Sequence, residues 1–75
     1  MKFYKLRAKM MEKEMTQEKL AMALKIAPQT LNAKINGRTQ FTLEEVLEIV
    51  SILEIDNPVD IFFTENFKST RNKYD

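Results

Sequence analysis

The sequence predicts an all-α protein, a compact bundle of five helices, on three observations. Apolar residues recur at helical spacing, and no strand pattern or repeat interrupts them. Pro28, Thr42 and Pro58 mark helix starts, and the interval between consecutive starts leaves room for one short helix. With no cysteine or histidine, a chain of 75 residues has neither a disulfide framework nor the usual zinc ligands, so a hydrophobic core must hold it together. We expect one domain over residues 1–63, followed by a flexible tail over residues 64–75.

The first helix is predicted over residues 2–14. Its apolar stripe consists of Phe3, Leu6 and Met10 at positions i, i+3 and i+7, and it should cover the helices that follow. Met11 and Met15 are expected to pack in the core or at a hinge.

Residues 16–37 contain two short helices and the break between them, which is the spacing of a helix-turn-helix. Thr16 can cap the first of these helices with its hydroxyl. The second helix should begin at Pro28, because the first helical position needs no backbone N–H, and it should end at Gly37. The predicted inward-facing residues of the two helices are Leu20, Ala21, Leu24, Leu31 and Ile35.

Two further helices are predicted in the C-terminal third. Thr42 and Glu45 have the spacing of a capping box, and Asp56-Asn57-Pro58 marks the start of a short helix over residues 58–63. The fourth helix carries a wide apolar stripe: Val46, Leu47, Val50 and Leu53, with Ile49 and Ile52 beside it. Its acidic residues Glu44, Glu45 and Glu48 are interpreted as a solvated face.

Charge is distributed unevenly along the chain, although the net charge is only +1. Residues 1–40 carry nine lysines and arginines against three glutamates, a net of +6, whereas residues 41–75 carry three against eight acids, a net of −5. The positive half coincides with the helix-turn-helix, as expected if it faces phosphates. Chance clustering on solvated helix faces is the alternative.

The chain resembles the lambda-repressor-like (XRE-type) DNA-binding family, and in particular small Cro-like regulators of phages and prophages. The residues that carry the resemblance are Thr16-Gln17, Leu20-Ala21, the turn near Ile26, the helix from Pro28, Asn36-Gly37-Arg38-Thr39, Phe41 to Glu45, and Ile61-Phe62-Phe63. The resemblance implies a transcription regulator, most simply a repressor, that binds double-stranded operator DNA through the helix at about residues 28–36.

The chain departs from the family pattern in three ways. Lys25 occupies the turn where glycine is usual, at a cost of up to about 1 kcal/mol if the backbone there is left-handed. Met10 and Ile35 stand where many members have an arginine–glutamate ion pair. The recognition helix begins with Ala27 and Pro28 where polar residues are common, so fewer side chains remain to read bases.

We expect the site residues to divide into two groups. The predicted base contacts are Pro28, Gln29, Thr30, Asn32 and Ala33, where Gln29 and Asn32 could pair with adenine and the apolar side chains could touch thymine methyl groups. The predicted phosphate contacts are Thr16, Gln17, Lys25, Lys34, Asn36, Arg38, Thr39 and Gln40. A solvated polar surface is the alternative for each of them.

Other functions have little support in the sequence. Without histidine or cysteine, and with a single glycine, we expect no enzyme, no metal site and no cofactor. No apolar run is long enough for a membrane span, and we expect the charged N-terminal segment Met-Lys-Phe-Tyr-Lys not to be a signal peptide, so a cytoplasmic location is expected.

We expect a homodimer, at least on DNA, joined through the apolar C-terminal third. Two alternative functions remain open. One is an antitoxin-type regulator. The other is a protein-binding modulator of a repressor that retains the fold and uses its C-terminal apolar surface.

Overall fold

The computed structural model describes residues 3–63, and these form five α-helices and no β-strand. The helices are α1 (Tyr4–Glu12), α2 (Gln17–Leu24), α3 (Pro28–Ile35), α4 (Leu43–Leu53) and α5 (Pro58–Phe62). The predicted all-α class and the five predicted helices are therefore confirmed. The predicted flexible tail over residues 64–75 lies outside the described part of the chain. No helix among the described residues is long and apolar enough to cross a membrane.

One hydrophobic core draws residues from all five helices. Its buried members are Leu6, Met10, Leu20, Ala21, Leu24, Leu31, Ile35, Val46, Ile49, Leu53, Ile55, Ile61 and Phe62. Met15 packs against this core as predicted, but Met11 is 79% exposed, so its predicted core position is wrong. Met10 faces the core, and the 100° turn to the next helical residue directs Met11 away from it.

The apolar stripe of α4 differs in phase from the prediction. Ile49 is fully buried at its centre, whereas Leu47 is 60% exposed. Ile61 and Phe62 are buried as well. Much of the C-terminal apolar bulk therefore fills the core of the monomer.

Three aromatic rings join the two ends of the described chain. Phe3 precedes α1, Phe41 precedes α4, and Phe62 ends α5. The ring centroids of Phe3 and Phe41 lie 5.2 Å apart and those of Phe41 and Phe62 lie 5.8 Å apart, both pairs edge to face. Such pairs contribute about 0.5–1.5 kcal/mol beyond the area they bury. The cluster fixes α5 against the start of α1.

Helices α1 to α4 each end in the same left-handed turn. The residues with positive φ that terminate them are Glu14, Lys25, Gly37 and Glu54. At the end of α2, for example, the Ile26 N–H donates to the Ala21 carbonyl at 3.0 Å and the Lys25 N–H donates to the Met22 carbonyl at 3.1 Å. This pair of bonds is a Schellman motif, which glycine suits best. Lys25 thus adopts φ 63° in the turn before α3 without the usual glycine.

Candidate nucleic-acid interface

The N-terminal end of α3 is open. Pro28 occupies the first turn, and Ala27 before it provides no side-chain cap, so the first N–H groups of the helix face outward. Pro28, Gln29 and Thr30 are all exposed. Neither Gln29 nor Thr30 forms a side-chain hydrogen bond with another residue of the range 3–63. Three of the predicted base contacts are therefore available to a partner.

The C-terminal half of α3 is internally bonded instead. The half-buried Asn32 accepts through Oδ1 from Arg38 Nη2 at 3.2 Å and from Asn36 Nδ2 at 3.1 Å. A guanidinium group can only donate, which identifies the acceptor as the amide oxygen of Asn32. Bidentate pairing with adenine requires this oxygen as well as the amide nitrogen. The amide oxygen of Asn32 is thus used to hold the side chains of Arg38 and Asn36. Ala33, the next residue, is half-buried.

Lys34 does not lie with the other predicted phosphate contacts. Its exposure is 8%, and its ammonium group donates to the Gln40 carbonyl at 2.9 Å and contacts Glu45 Oε1 at 3.0 Å. A buried, paired ammonium group is not presented to a phosphate. The prediction of a direct phosphate contact is corrected for this residue, because its methylene stem and its charge both find partners inside the protein.

Glu45 belongs to the same buried arrangement and not to a solvated face. Its side chain is 15% exposed, and Oε1 also accepts from the Thr42 N–H at 2.9 Å. The Thr42 hydroxyl in return accepts from the Glu45 N–H at 3.1 Å, which confirms the predicted capping box. Burial raises the pKa of Glu45, but the bonds from Thr42 and Lys34 outweigh it and leave the pKa below its ordinary value. Glu44 and Glu48 are exposed, as predicted.

The N-terminus of α2 contains a contact that sequence reasoning missed. The Thr16 hydroxyl accepts from the Lys19 N–H at 3.1 Å, so the predicted cap is confirmed. The half-buried Gln17 accepts through Oε1 from Arg7 Nη1 at 3.3 Å, which leaves its amide N–H groups available. The sequence offers one weak signal for Arg7: no acid stands three or four residues from it. Ten residues separate the two partners, so local spacing does not reveal the pair.

The ion pairs separate the basic residues into two sets. Four lysines have an acid partner: Lys5 with Asp60, Lys9 with Glu12, Lys13 with Glu54, and Lys34 with Glu45. Among residues 3–63, the basic side chains with no acid partner are Arg7, Lys19, Lys25 and Arg38. All of these stand on α1 or α2, in the turn before α3, or in the segment after α3. Among residues 3–63, the positive charge that no acid partner compensates thus belongs to these four side chains, fewer than the number of lysines and arginines in the sequence suggests.

The comparison with known proteins gives a family. A model of the family described as protein of unknown function (DUF739) matches residues 1–66. The chain belongs to the DUF739 family. Neither a curated protein nor a solved structure matches it. The match spans all five helices of the DUF739 chain, including both halves of α3.

We define the candidate interface of this DUF739 chain by nine exposed or half-buried residues of α1 to α3 and of the segments beside α3, none of which has an acid partner among residues 3–63. They are Arg7, Gln17, Lys19, Lys25, Pro28, Gln29, Thr30, Arg38 and Thr39. The structure shows two contacts that organise them, Arg7 to Gln17 and Arg38 to Asn32. It also packs α2 against α3. The side chain of Gln40 is exposed, while its backbone carbonyl is taken by Lys34.

Proposed function

We propose that this protein is a sequence-specific DNA-binding transcription regulator of the lambda-repressor-like type, acting as a Cro-like repressor. One observation carries the proposal: α3 has an open N-terminal end, and the basic side chains without acid partners stand on the elements before and after it. An exposed helix end with uncompensated positive charge nearby suits insertion into a major groove between two phosphate backbones.

Phosphate contacts hold the protein on DNA in this proposal. Arg38 supplies a guanidinium group that Asn32 already orients, at 3.2 Å. On the other side, Arg7 and the amide N–H groups of Gln17 bind a phosphate at the start of α2, where the backbone N–H groups of the helix also favour an anion. Lys25 adds a point charge in the turn. These contacts position α3 without reading sequence.

Bases are read by the open end of α3. Gln29 pairs with the N6 and N7 atoms of an adenine, and Thr30 approaches a neighbouring base or phosphate. Pro28 provides an apolar surface for a thymine methyl group. Asn32 retains only its amide nitrogen for a base, so its main part is to orient Arg38.

Two copies bind DNA about a two-fold axis in this proposal, because one short recognition helix reads only a few base pairs. Their recognition helices would lie about 34–36 Å apart, one turn of the duplex. The apolar contact between copies comes from Leu43 and Leu47, which are 70% and 60% exposed at positions i and i+4 of α4. Ile61 and Phe62 do not contribute, because the monomer core takes them.

A regulator that acts by binding another protein is the second candidate. The same exposed pair, Leu43 and Leu47, favours it, together with Val59 on α5, which is also exposed. In that case α4 is the functional surface and the open end of α3 has no ligand. Loss of regulation in cells on Leu47→Ser, with no salt-dependent DNA binding by the wild-type protein, would favour this candidate.

The proposed function is tested by measuring affinity for DNA from upstream of the gene, and for random duplex, across about 50–200 mM salt. We expect Arg38→Ala to weaken binding to both DNAs and to flatten the slope of log K against log salt by about 0.9 per lost phosphate contact. Lys13→Ala is the matched control, since it removes the same charge from a lysine paired with Glu54. Affinity independent of salt, or equal slopes for the two variants, would overturn the proposal.

A further inference from the structure

We propose that Lys34 and Glu45 form a positioning pair that fixes the segment Gly37 to Gln40, which follows α3, in the conformation that presents Arg38 and Thr39 to DNA phosphates. Lys34 itself does not touch DNA. The role in DNA binding rests on the proposed function, while the ordering of the segment is a property of the free protein.

The ammonium group of Lys34 closes this segment into a ring. Lys34 leaves the last turn of α3, and its Nζ donates to the Gln40 carbonyl, six residues ahead, at 2.9 Å. The same Nζ contacts Glu45 Oε1 at 3.0 Å, in the first turn of α4. One point charge therefore ties the end of the segment to both α3 and α4.

The beginning of the segment is fixed by α3. The Arg38 N–H donates to the Ala33 carbonyl at 2.8 Å, and Gly37 takes the left-handed conformation, φ 84°, that this Schellman end requires. The Arg38 side chain is bonded to Asn32. With both ends held, the exposed Arg38 and Thr39 lose little freedom when they bind a ligand.

Stability alone is a poor reason for a buried ion pair in this place. Replacing such a pair by apolar residues of similar size is often neutral or stabilising, because the desolvation cost offsets the attraction. An apolar residue at position 34 could fill the same space, but it could not hold the Gln40 carbonyl. Glu45 also serves the capping box through Thr42, so a single carboxylate oxygen joins the start of α4 to the segment.

The first experiment uses the free, full-length double variant Lys34→Met/Glu45→Gln. The double change leaves the net charge unaltered and no charge unpaired, and glutamine can still accept from the Thr42 N–H. We expect the backbone ¹⁵N order parameters of Thr39 and Gln40 to fall from about 0.85 to below about 0.6. Those of Gln29 and Thr30 should stay unchanged. Unchanged order at Thr39 and Gln40 would overturn the proposal.

The second experiment measures DNA affinity of the same variant. We expect a loss of about 5- to 10-fold on specific and random DNA alike, from the cost of ordering the segment on binding, with the salt slope preserved. A slope reduced by about 0.9 would mean that Lys34 contacts a phosphate and would overturn the proposal. Glu44→Gln, which removes an exposed acid from the same turn of α4, is the control and should not lower the affinity.

The two proposals fail in different ways. If the wild-type protein shows no salt-dependent DNA binding, the proposed function fails, while the order parameters still decide whether the pair fixes the segment. If the double variant does not fold, Glu45→Gln alone serves. This variant keeps an acceptor for Lys34 and Thr42 but removes the charge, so we expect a smaller loss of order that is confined to Thr39 and Gln40. Order parameters of Thr39 and Gln40 equal to those of the wild type would overturn the proposal.

Discussion

The two ends of α3 are built from similar polar residues but differ in what those residues bond to. At the N-terminal end, Gln29 and Thr30 are exposed and form no side-chain hydrogen bond with another described residue. At the C-terminal end, Asn32 and Lys34 are engaged by groups from the following segment and from α4. A helix of eight residues thus combines an open end, whose side chains have no partner among the described residues, with a bonded end that fixes the helix in the fold.

This difference follows from the way each end is terminated. Pro28 begins α3 with no side-chain cap, so nothing folds back over the first turn. At the other end, the Schellman turn at Gly37 folds the chain back across the last turn, where Asn32 and Lys34 lie within reach of it. Mutations at the bonded end should therefore lower stability, whereas mutations at the open end should leave stability almost unchanged.

The largest effect is expected from Lys34→Ala. It leaves Glu45 without its cation and the part-buried Gln40 carbonyl without a donor, which should lower the free energy of unfolding by about 1.5–3 kcal/mol. Gln29→Ala, at the open end, should stay within about 0.5 kcal/mol of wild type. Urea unfolding at neutral pH measures both. Equal effects at the two positions would remove the distinction between the ends.

Lys34→Met/Glu45→Gln should recover most of the stability lost in Lys34→Ala, because it leaves no unpaired charge. A double variant as unstable as Lys34→Ala would indicate that the Gln40 carbonyl left without a donor, and not the stranded carboxylate, causes the loss.

The second-largest effect is expected on DNA affinity. Gln29→Ala should cost about 1–3 kcal/mol on the best operator and change affinity for random DNA little, since Gln29 reads bases in the proposed complex. Asn32→Ala should weaken both by a similar factor, because it releases Arg38. Competition titrations with specific and random duplexes separate the two outcomes. Equal losses on both DNAs for Gln29→Ala would make it a positioning residue as well.

The open end of α3 could be predicted from sequence, whereas the bonded end could not. The helix starts at Thr16 and Thr42 depend on residues three positions apart, and the start at Pro28 depends on the proline itself, so all three can be seen in the sequence. The partner of Lys34 stands eleven residues away on another helix, and that of Arg7 stands ten away. Net charge per segment did not indicate which lysines have acid partners.

The phase error on α4 has a related cause. Apolar residues cover so much of this helix that several inward faces fit the sequence equally well. Packing selects the face centred on Ile49 and leaves Leu47 exposed. Helix periodicity therefore predicted that α4 exists, while the other helices decided its orientation.

A third effect, of about 1 kcal/mol, concerns the left-handed turns at the ends of α2 and α3. Gly37→Ala should lower the free energy of unfolding by about 1 kcal/mol, since only glycine adopts φ 84° without steric cost. Lys25→Gly should raise it by up to about 1 kcal/mol for the same reason. Urea midpoints at neutral pH measure both. Stabilisation by Gly37→Ala would contradict the assigned helix end.

The smallest effect is expected from acid, because opposing influences act on Glu45 at the bonded end. Burial raises its pKa, and the Thr42 N–H and the Lys34 ammonium group lower it by more, so the pKa lies below the ordinary 4.5. A carboxyl group whose pKa is lower in the folded than in the unfolded state stabilises the fold above its unfolded pKa. That contribution is lost as the pH falls through the folded pKa.

The stability difference between wild type and Glu45→Gln should therefore be constant near neutral pH and shrink once the pH falls below 4.5. Urea unfolding of both proteins over this range measures the difference. The pKa of Glu54 is also lowered, by its hydrogen bond with Lys13, but both proteins share that pair, so its contribution cancels. The exposed Lys13–Glu54 pair is also weakened in about 0.15 M salt, while the buried Lys34–Glu45 pair is screened much less. A difference that does not change with pH would mean that Glu45 stabilises α4 through hydrogen-bond geometry alone, and that its charge does not hold Lys34.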